Sequence, residues 1–424
     1  MKKFIKFSIL SIVIVSVALL IYKYSNRYDL KIESEGIKSD LLIKGLEESR
    51  SICNGEGSDI YVSFKSEILT INENNKINKV YKDVKLDIED MLYKRGNLYI
   101  LSKDKLIVFN EENKEGKTIL KDIPYKGENL ERNLLDNNDS ILISIGANTN
   151  SGVSEKGGIN DTYPIDLILN GNNFGKGNTG GFKPYGTEAK DGEKVEGKKI
   201  GNASIISVDY KSFKTSLFAS GIRNVKGFDL NSKGEVVSIV GGMEPEGTRG
   251  VIRDFDYIYK INKGLWYGWP DFSGGDPISS PRFSDGEKIK PIIKNSPEKK
   301  IPTPLYQHKN VSSLERLVVD REGEILEKDS IIFYDKKDTS LYSLSSKRVL
   351  NRIVDFGEES KISDIEIIGD KCLILDSYKG YIYRIYKEEK ILGDKIPYSV
   401  IVITSIIILA SITILIYKVK IKGK

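Results

Sequence analysis

Through most of its length the chain repeats one small pattern: a polar turn rich in Gly, Asn, Asp or Lys, then a short run of Ile, Leu, Val and Tyr. GSDIYVSF, RGNLYILS, DNNDSILISIG, NSKGEVVSIVGG and GDKCLILDS share it, and KDSIIFYDKKDTSLYSL fits it loosely. Short β-branched and aromatic runs bounded by turn residues read as strands. They recur at spacings of about 40 residues, or about twice that where long inserts enter, which is the signature of a radial repeat. A strand quartet cannot bury both faces alone, so packing blades around an axis is the natural solution. Six repeats predict an all-β, six-bladed β-propeller over residues 28–390, with YDLKIESEGIKSDLLIK supplying the outer strand that closes the last blade. A β-sandwich or two smaller β domains is the structural alternative.

The ends depart from this pattern. Residues 7–22 and 396–417 carry no charge. The second run is long enough for a bilayer core of roughly 30 Å at about 1.5 Å per residue. An N-terminal membrane anchor or signal sequence is therefore expected within residues 1–24, and a C-terminal transmembrane helix over residues 396–418. No small-x-small site follows the first run, which favours an uncleaved anchor. Lys2, Lys3 and Lys6 before the first run and KVKIKGK after the second place both termini in the cytoplasm. The propeller is then extracellular at the cell membrane, with the membrane as a partner.

Composition adds three exclusions. Of 424 residues 39% are hydrophobic, enough for a large core, and 65 Lys and Arg are interleaved with 60 Asp and Glu for a net charge of +5. This is a solvated surface and not a nucleic-acid stripe. The only histidine, His308, cannot build a zinc cluster and reads as a loop residue without catalytic duty. Cys53 and Cys372 are too few for a disulfide framework; two buried free thiols are expected, with a single bridge as the alternative.

Two inserts hold the unusual chemistry. Residues 152–201 are rich in Gly and Asn, either a functional excursion or a flexible flap. RDFDYIYKINKGLWYGWPDFSGGDP carries both tryptophans, Trp266 and Trp269, suited to a sugar platform but read first as a packed corner.

Between the inserts stands GIRNVKG, followed by a strand, a Gly-Gly pair and KGLWYGWP. This order resembles the soluble quinoprotein glucose and sorbosone dehydrogenase family. The resemblance implies a six-bladed propeller holding pyrroloquinoline quinone (PQQ) and calcium at the wide end of its axis and oxidising sugars or sugar-derived aldehydes. It assigns cofactor contacts to Arg223 and Asn224, where a guanidinium offers paired donors to quinone oxygens and carboxylates. Lys361, in KISDIEI, keeps one of the family's positive charges, while Ser363 stands where another is expected. Gly242 and Met243 are the candidate calcium ligands, through backbone carbonyls that need no particular side chain. The family's catalytic histidine falls on Glu128, and its aspartate partner on Ala147. Glu128 is thus the candidate base, though a carboxylate that is not buried holds a proton poorly at neutral pH.

Three functional classes follow. The favoured one is a propeller with impaired or lost catalysis and a ligand-binding or assembly role, a sugar or cell-surface glycan being a candidate partner. The second is an active PQQ- and calcium-dependent oxidoreductase. The third is a calcium-dependent propeller hydrolase, for which Asp104, Asp229 and Asp376 are candidate axial ligands. The fold alone does not choose among them.

Overall fold

The structure is a computed structural model that describes residue 28 and residues 30–127 and 130–388. Lys31–Lys387 forms one compact unit.

Lys31–Lys387 is a six-bladed β-propeller of antiparallel four-stranded sheets. Blades 1 to 5 are drawn from residues 51–82, 88–120, 134–220, 225–307 and 314–355. Blade 6 takes three strands from residues 362–387 and its outer strand, Ile37–Lys44, from the other end of the domain. That strand pairs from Ile37 opposite Lys387 to Lys44 opposite Tyr381. The ring is thereby closed by hydrogen bonds, and blade 6 keeps no long unpaired edge. Lys31–Ile32 adds a short fifth strand to blade 5.

The expectation of membrane-spanning helices is corrected. The one helical element among the described residues is the 3-10 turn Pro281–Phe283. No helix among them is long and apolar enough to cross a membrane. The apolar runs at residues 7–22 and 396–417, on which that expectation rested, lie outside the described residues. The membrane as a partner, the extracellular placement and the cytoplasmic termini rested on the same runs and are withdrawn with it.

Apolar clusters between neighbouring blades hold the ring. Ile68, Ile88, Leu98 and Phe109 join blades 1 and 2, and Leu314, Ile239, Ile258 and Phe333 join blades 4 and 5. Nearer the axis the innermost strands expose edge amides that no ladder can satisfy, and aspartates of the inner strands take them. Asp90 accepts the N–H of Leu134 at 2.7 Å, Asp229 that of Val319 at 2.8 Å, and Asp364 that of Ile52 at 2.8 Å. Each also accepts the amide of the residue that follows it. Blades 2, 4 and 6 are thus each stitched to the inner strand of the next. Cys53 and Cys372 are buried free thiols.

The inserts are ordered. Tyr163, Phe182, Met243, Trp266, Trp269, Ile278, Phe283 and Ile292 share one core cluster. Residues 264–267 make this possible by running beside the outer strand of blade 3, with a parallel bridge from Ser220 to Trp266. Trp266 Nε1 donates to the Tyr163 hydroxyl at 2.6 Å, which donates to the Trp269 carbonyl at 2.8 Å. The tryptophans are packing residues, each 2% exposed, and no sugar platform.

Candidate functional site

The GIRN segment enters the inner strand of blade 4, Val225–Leu230, on the face that carries the inserts. Its first glycine has φ +70°, and a Cβ there would lie 2.5 Å from Trp266 Nε1. At the other end of the unit a Cβ on Gly242 would lie 2.1 Å from the Phe255 carbonyl oxygen. These glycines therefore serve close approach of the chain to itself.

Arg223 is 5% exposed and points into the joint between blade 4 and the first insert. Its Nε donates to the Asn150 carbonyl at 3.0 Å and its Nη2 to Asn150 Oδ1 at 3.0 Å. Asn150 also accepts the Glu244 amide at 2.8 Å on Oδ1 and Trp269 Nε1 at 3.1 Å on its carbonyl. Its Nδ2 donates to the carbonyls of Glu244 and Glu246. One side chain and one carbonyl thus occupy the positions from which an anionic ligand would meet the guanidinium. Burial pushes the Arg223 pKa down, while Glu244, Asp254, Asp256 and Glu131 push it back up. The surroundings of this arginine are acidic.

Asn224 is 2% exposed; its Oδ1 accepts the Glu131 amide at 3.3 Å and its carbonyl the Gly241 amide at 2.9 Å. Ala147 donates its amide to the Arg223 carbonyl at 2.7 Å, so this position does adjoin Arg223 but offers no carboxylate. Lys226 pairs with Glu131 beside them. Gly242 and Met243 donate their amides to Asp256 and Asp254, and the Met243 side chain is buried in the insert core. Lys361 is exposed on the loop entering blade 6, its amide held by Asp376 at 3.2 Å, and Ser363 is buried in the following strand. Glu128 lies outside the described residues.

The aspartates considered as axial ligands do not converge. Asp229 is a blade clamp paired with Arg321, Asp376 holds the amides of Lys361, Tyr378 and Lys379, and Asp104 lies in a turn of blade 2. Among the described residues no group of three or more His, Cys, Asp or Glu is placed to hold a metal ion. His308 is buried, with Nδ1 3.2 Å from the Tyr306 hydroxyl and Nε2 3.1 Å from Asp335 Oδ2.

Neither PQQ nor calcium fits these residues as they stand. A tricarboxylate would have to displace Asn150 from Arg223 and enter a cluster of carboxylates, an unfavourable exchange at a desolvated site. The nearby carboxylates that could serve calcium, Asp254 and Asp256, already accept backbone amides.

Sequence reasoning missed Asn150 and Asp256. Asp256 is fully buried and accepts amides from Gly242, Ser312, Ser313 and Leu314. An Asp or Asn beside a strand end was the only local signal of either. Beside Asn150 opens a cleft of about 530 Å³ lined by Asn148, Thr149, Ser151, Glu155, Glu246 and Thr248 among others. Arg249, at its edge, is committed to Asp271 at 2.7 Å.

No family model and no curated protein matches the sequence. Solved structures do match in fold. A family AA12 carbohydrate-active enzyme of Trichoderma reesei in its calcium form is similar at TM-score 0.59 and 13% identity, over 85% of this chain and 98% of that one. The PQQ domain of pyranose dehydrogenase from Coprinopsis cinerea is similar at TM-score 0.56 and 10% identity, over 85% and 98%. The PQQ-bound aldose sugar dehydrogenase of Streptomyces coelicolor is similar at TM-score 0.54 and 12% identity, over 82% and 98%. Identities this low establish the fold and nothing finer: the chain is a six-bladed β-propeller, similar in fold to these structures.

Proposed function

We propose that this protein is a ligand-binding propeller that does not carry out quinone-dependent oxidation, and that its ligand is a hydroxylated molecule of the sugar class. The observation that carries this reading is Asn150, which saturates Nε and Nη2 of Arg223 and is itself locked to Glu244, Glu246 and Trp269. A quinone cofactor needs its reactive carbonyl positioned, its charge held and a base supplied. Here the arginine is committed, Ala147 offers no carboxylate, and the charge around Arg223 has the wrong sign for a polyanion.

The cleft beside Asn150 supplies hydroxyl, amide and carboxylate groups, the donors and acceptors that bind neutral polyols. Its one guanidinium, on Arg249, is already paired. Proteins that share the fold include an aldose sugar dehydrogenase and a pyranose dehydrogenase, which supports the ligand class.

The test uses the full chain with PQQ, calcium and a panel of aldoses. The expected result is sugar binding by calorimetry, weakened by Glu246→Gln, with no sugar-dependent reduction of an artificial electron acceptor. Turnover that requires PQQ and is lost in Arg223→Ala would overturn the proposal, as would failure of every sugar to bind.

A further inference from the structure

On the propeller axis, towards the face opposite the inserts, lies a second cavity of about 650 Å³. All six inner strands contribute to its wall, through Cys53, Asp90, Asn133, Asp229, Arg316 and Glu366 among others. The volume is that of a small-molecule site and far exceeds what an ion needs.

Most of its charged groups are committed. Asp90, Asp229 and Asp364 accept the amides that clamp neighbouring blades, and Arg321 pairs with Asp229. Arg316 donates to Asn133 Oδ1 at 2.8 Å and lies in the field of Asp364 and Asp90. Glu366 differs. It lines the cavity two residues beyond Asp364 on the same strand, hence on the same face, and among the described residues no hydrogen bond or ion pair engages its carboxylate. At the mouth, Glu324 is exposed and adds a second negative point.

We propose that this axial cavity binds a linear organic cation, an aliphatic amine or polyamine, with Glu366 as its inner counterion and Glu324 at its entrance. A partly buried carboxylate that lines a cavity beside other carboxylates and has no partner of its own is costly to keep ionised, and is neutralised by a proton, a metal ion or an organic cation. A metal is disfavoured because the neighbouring aspartates already hold backbone amides and no metal-grade group of ligands exists among the described residues. A chain-like amine places one charge at Glu366 and its second near the mouth, filling volume that an ion leaves empty.

The proton is the competitor. Burial pushes the Glu366 pKa well up, Asp364, Asp229 and Asp90 push it further the same way, and Arg321 opposes them. Cys53, Tyr93, Lys94, Arg95, Asp136, Arg316, Asp320, Glu322 and Glu324 are the other charged and titratable groups of the lining, Lys94 being paired with Asp136 and Arg95 exposed, and burial pushes the thiol of Cys53 up too. A bound cation therefore displaces a proton from Glu366, and affinity rises with pH.

Titration calorimetry of the full chain with spermidine and with 1,4-diaminobutane, at about pH 6 and about pH 8 in buffers of different ionisation heat, tests this. A single saturable site is expected, tighter at the higher pH and releasing protons on binding. Glu366→Gln weakens binding about ten-fold or more and abolishes the proton release, while its melting temperature stays at or above that of the parent because the amide replaces a group whose ionisation Asp364, Asp229 and Asp90 oppose. Should Glu366→Gln fold poorly, Glu324→Lys at the exposed mouth gives the second reading, a several-fold weakening without loss of stability. The proposal is overturned if neither amine binds saturably, if Glu366→Gln binds as tightly as the parent, or if calcium or magnesium alone occupies the site and excludes the amine.

Discussion

Asp256 offers the sharpest test of how this face of the propeller is built. Its carboxylate is fully buried between the second insert and the start of blade 5. Oδ1 accepts the amides of Gly242 and Ser312, each at 3.1 Å, and Oδ2 those of Ser313 at 2.7 Å and Leu314 at 2.8 Å. Asp256→Asn keeps the shape and volume of the side chain, so it opens no void. It leaves one oxygen for four donors, and an NH2 group then faces two amides whichever way it is turned. Two buried donors left unsatisfied cost about 1–3 kcal/mol each, about 2–6 kcal/mol together. For a domain of this size that corresponds to a fall in melting temperature of about 3–8 °C. Thermal unfolding followed by circular dichroism measures it, with Asp285→Asn as the control, because the exposed pair Asp285–Arg253 contributes little. An Asp256→Asn protein that melts with the parent would refute the dependence of these four amides on one carboxylate.

Further outcomes are expected at three other places. Burial alone would raise the Asp335 pKa, yet the contacts from His308 and Ser313 hold it at about 2. That depression contributes stability above the ordinary carboxylate value of roughly 3.8, lost as pH falls through about 2. His308→Asn should therefore move the acid-unfolding midpoint to higher pH, and an unchanged midpoint would show that His308 does not hold this carboxylate. Tyr163→Phe leaves the Trp266 indole N–H and the Trp269 carbonyl without their shared partner, so limited proteolysis within residues 152–201 should accelerate. Cleavage at the parental rate would mean that the inserts do not depend on this relay. Deleting residues 31–44 removes the outer strand of blade 6 and exposes the edge of Tyr381–Lys387, which should lower stability cooperatively across the whole ring. A truncated chain with the parental melting temperature would contradict closure by this strand.

The number of blades and the closing strand could be read from the sequence because strands and turns announce themselves locally. Runs such as NLYILS and CLILDS alternate with turn residues over a few positions, and six of them at a recurring spacing leave few other ways to bury two-faced sheets. The place of Arg223 at the entrance to a strand was also legible, since it follows from where GIRNVKG sits relative to the run after it. What the arginine does was not. Its partner, Asn150, is 73 residues away in sequence, and nothing local in GANTNSG marks that asparagine as the group that consumes two guanidinium donors. The tryptophans, Asp229 and the glycines at Gly221 and Gly242 were equally ambiguous. The same residue types serve a ligand or the fold depending on what the chain brings within about 3 Å of them. Backbone pattern is set by neighbours in sequence, so it survives in the sequence; the fate of each buried donor, acceptor and charge is set by packing between distant segments, and only the tertiary structure decides it.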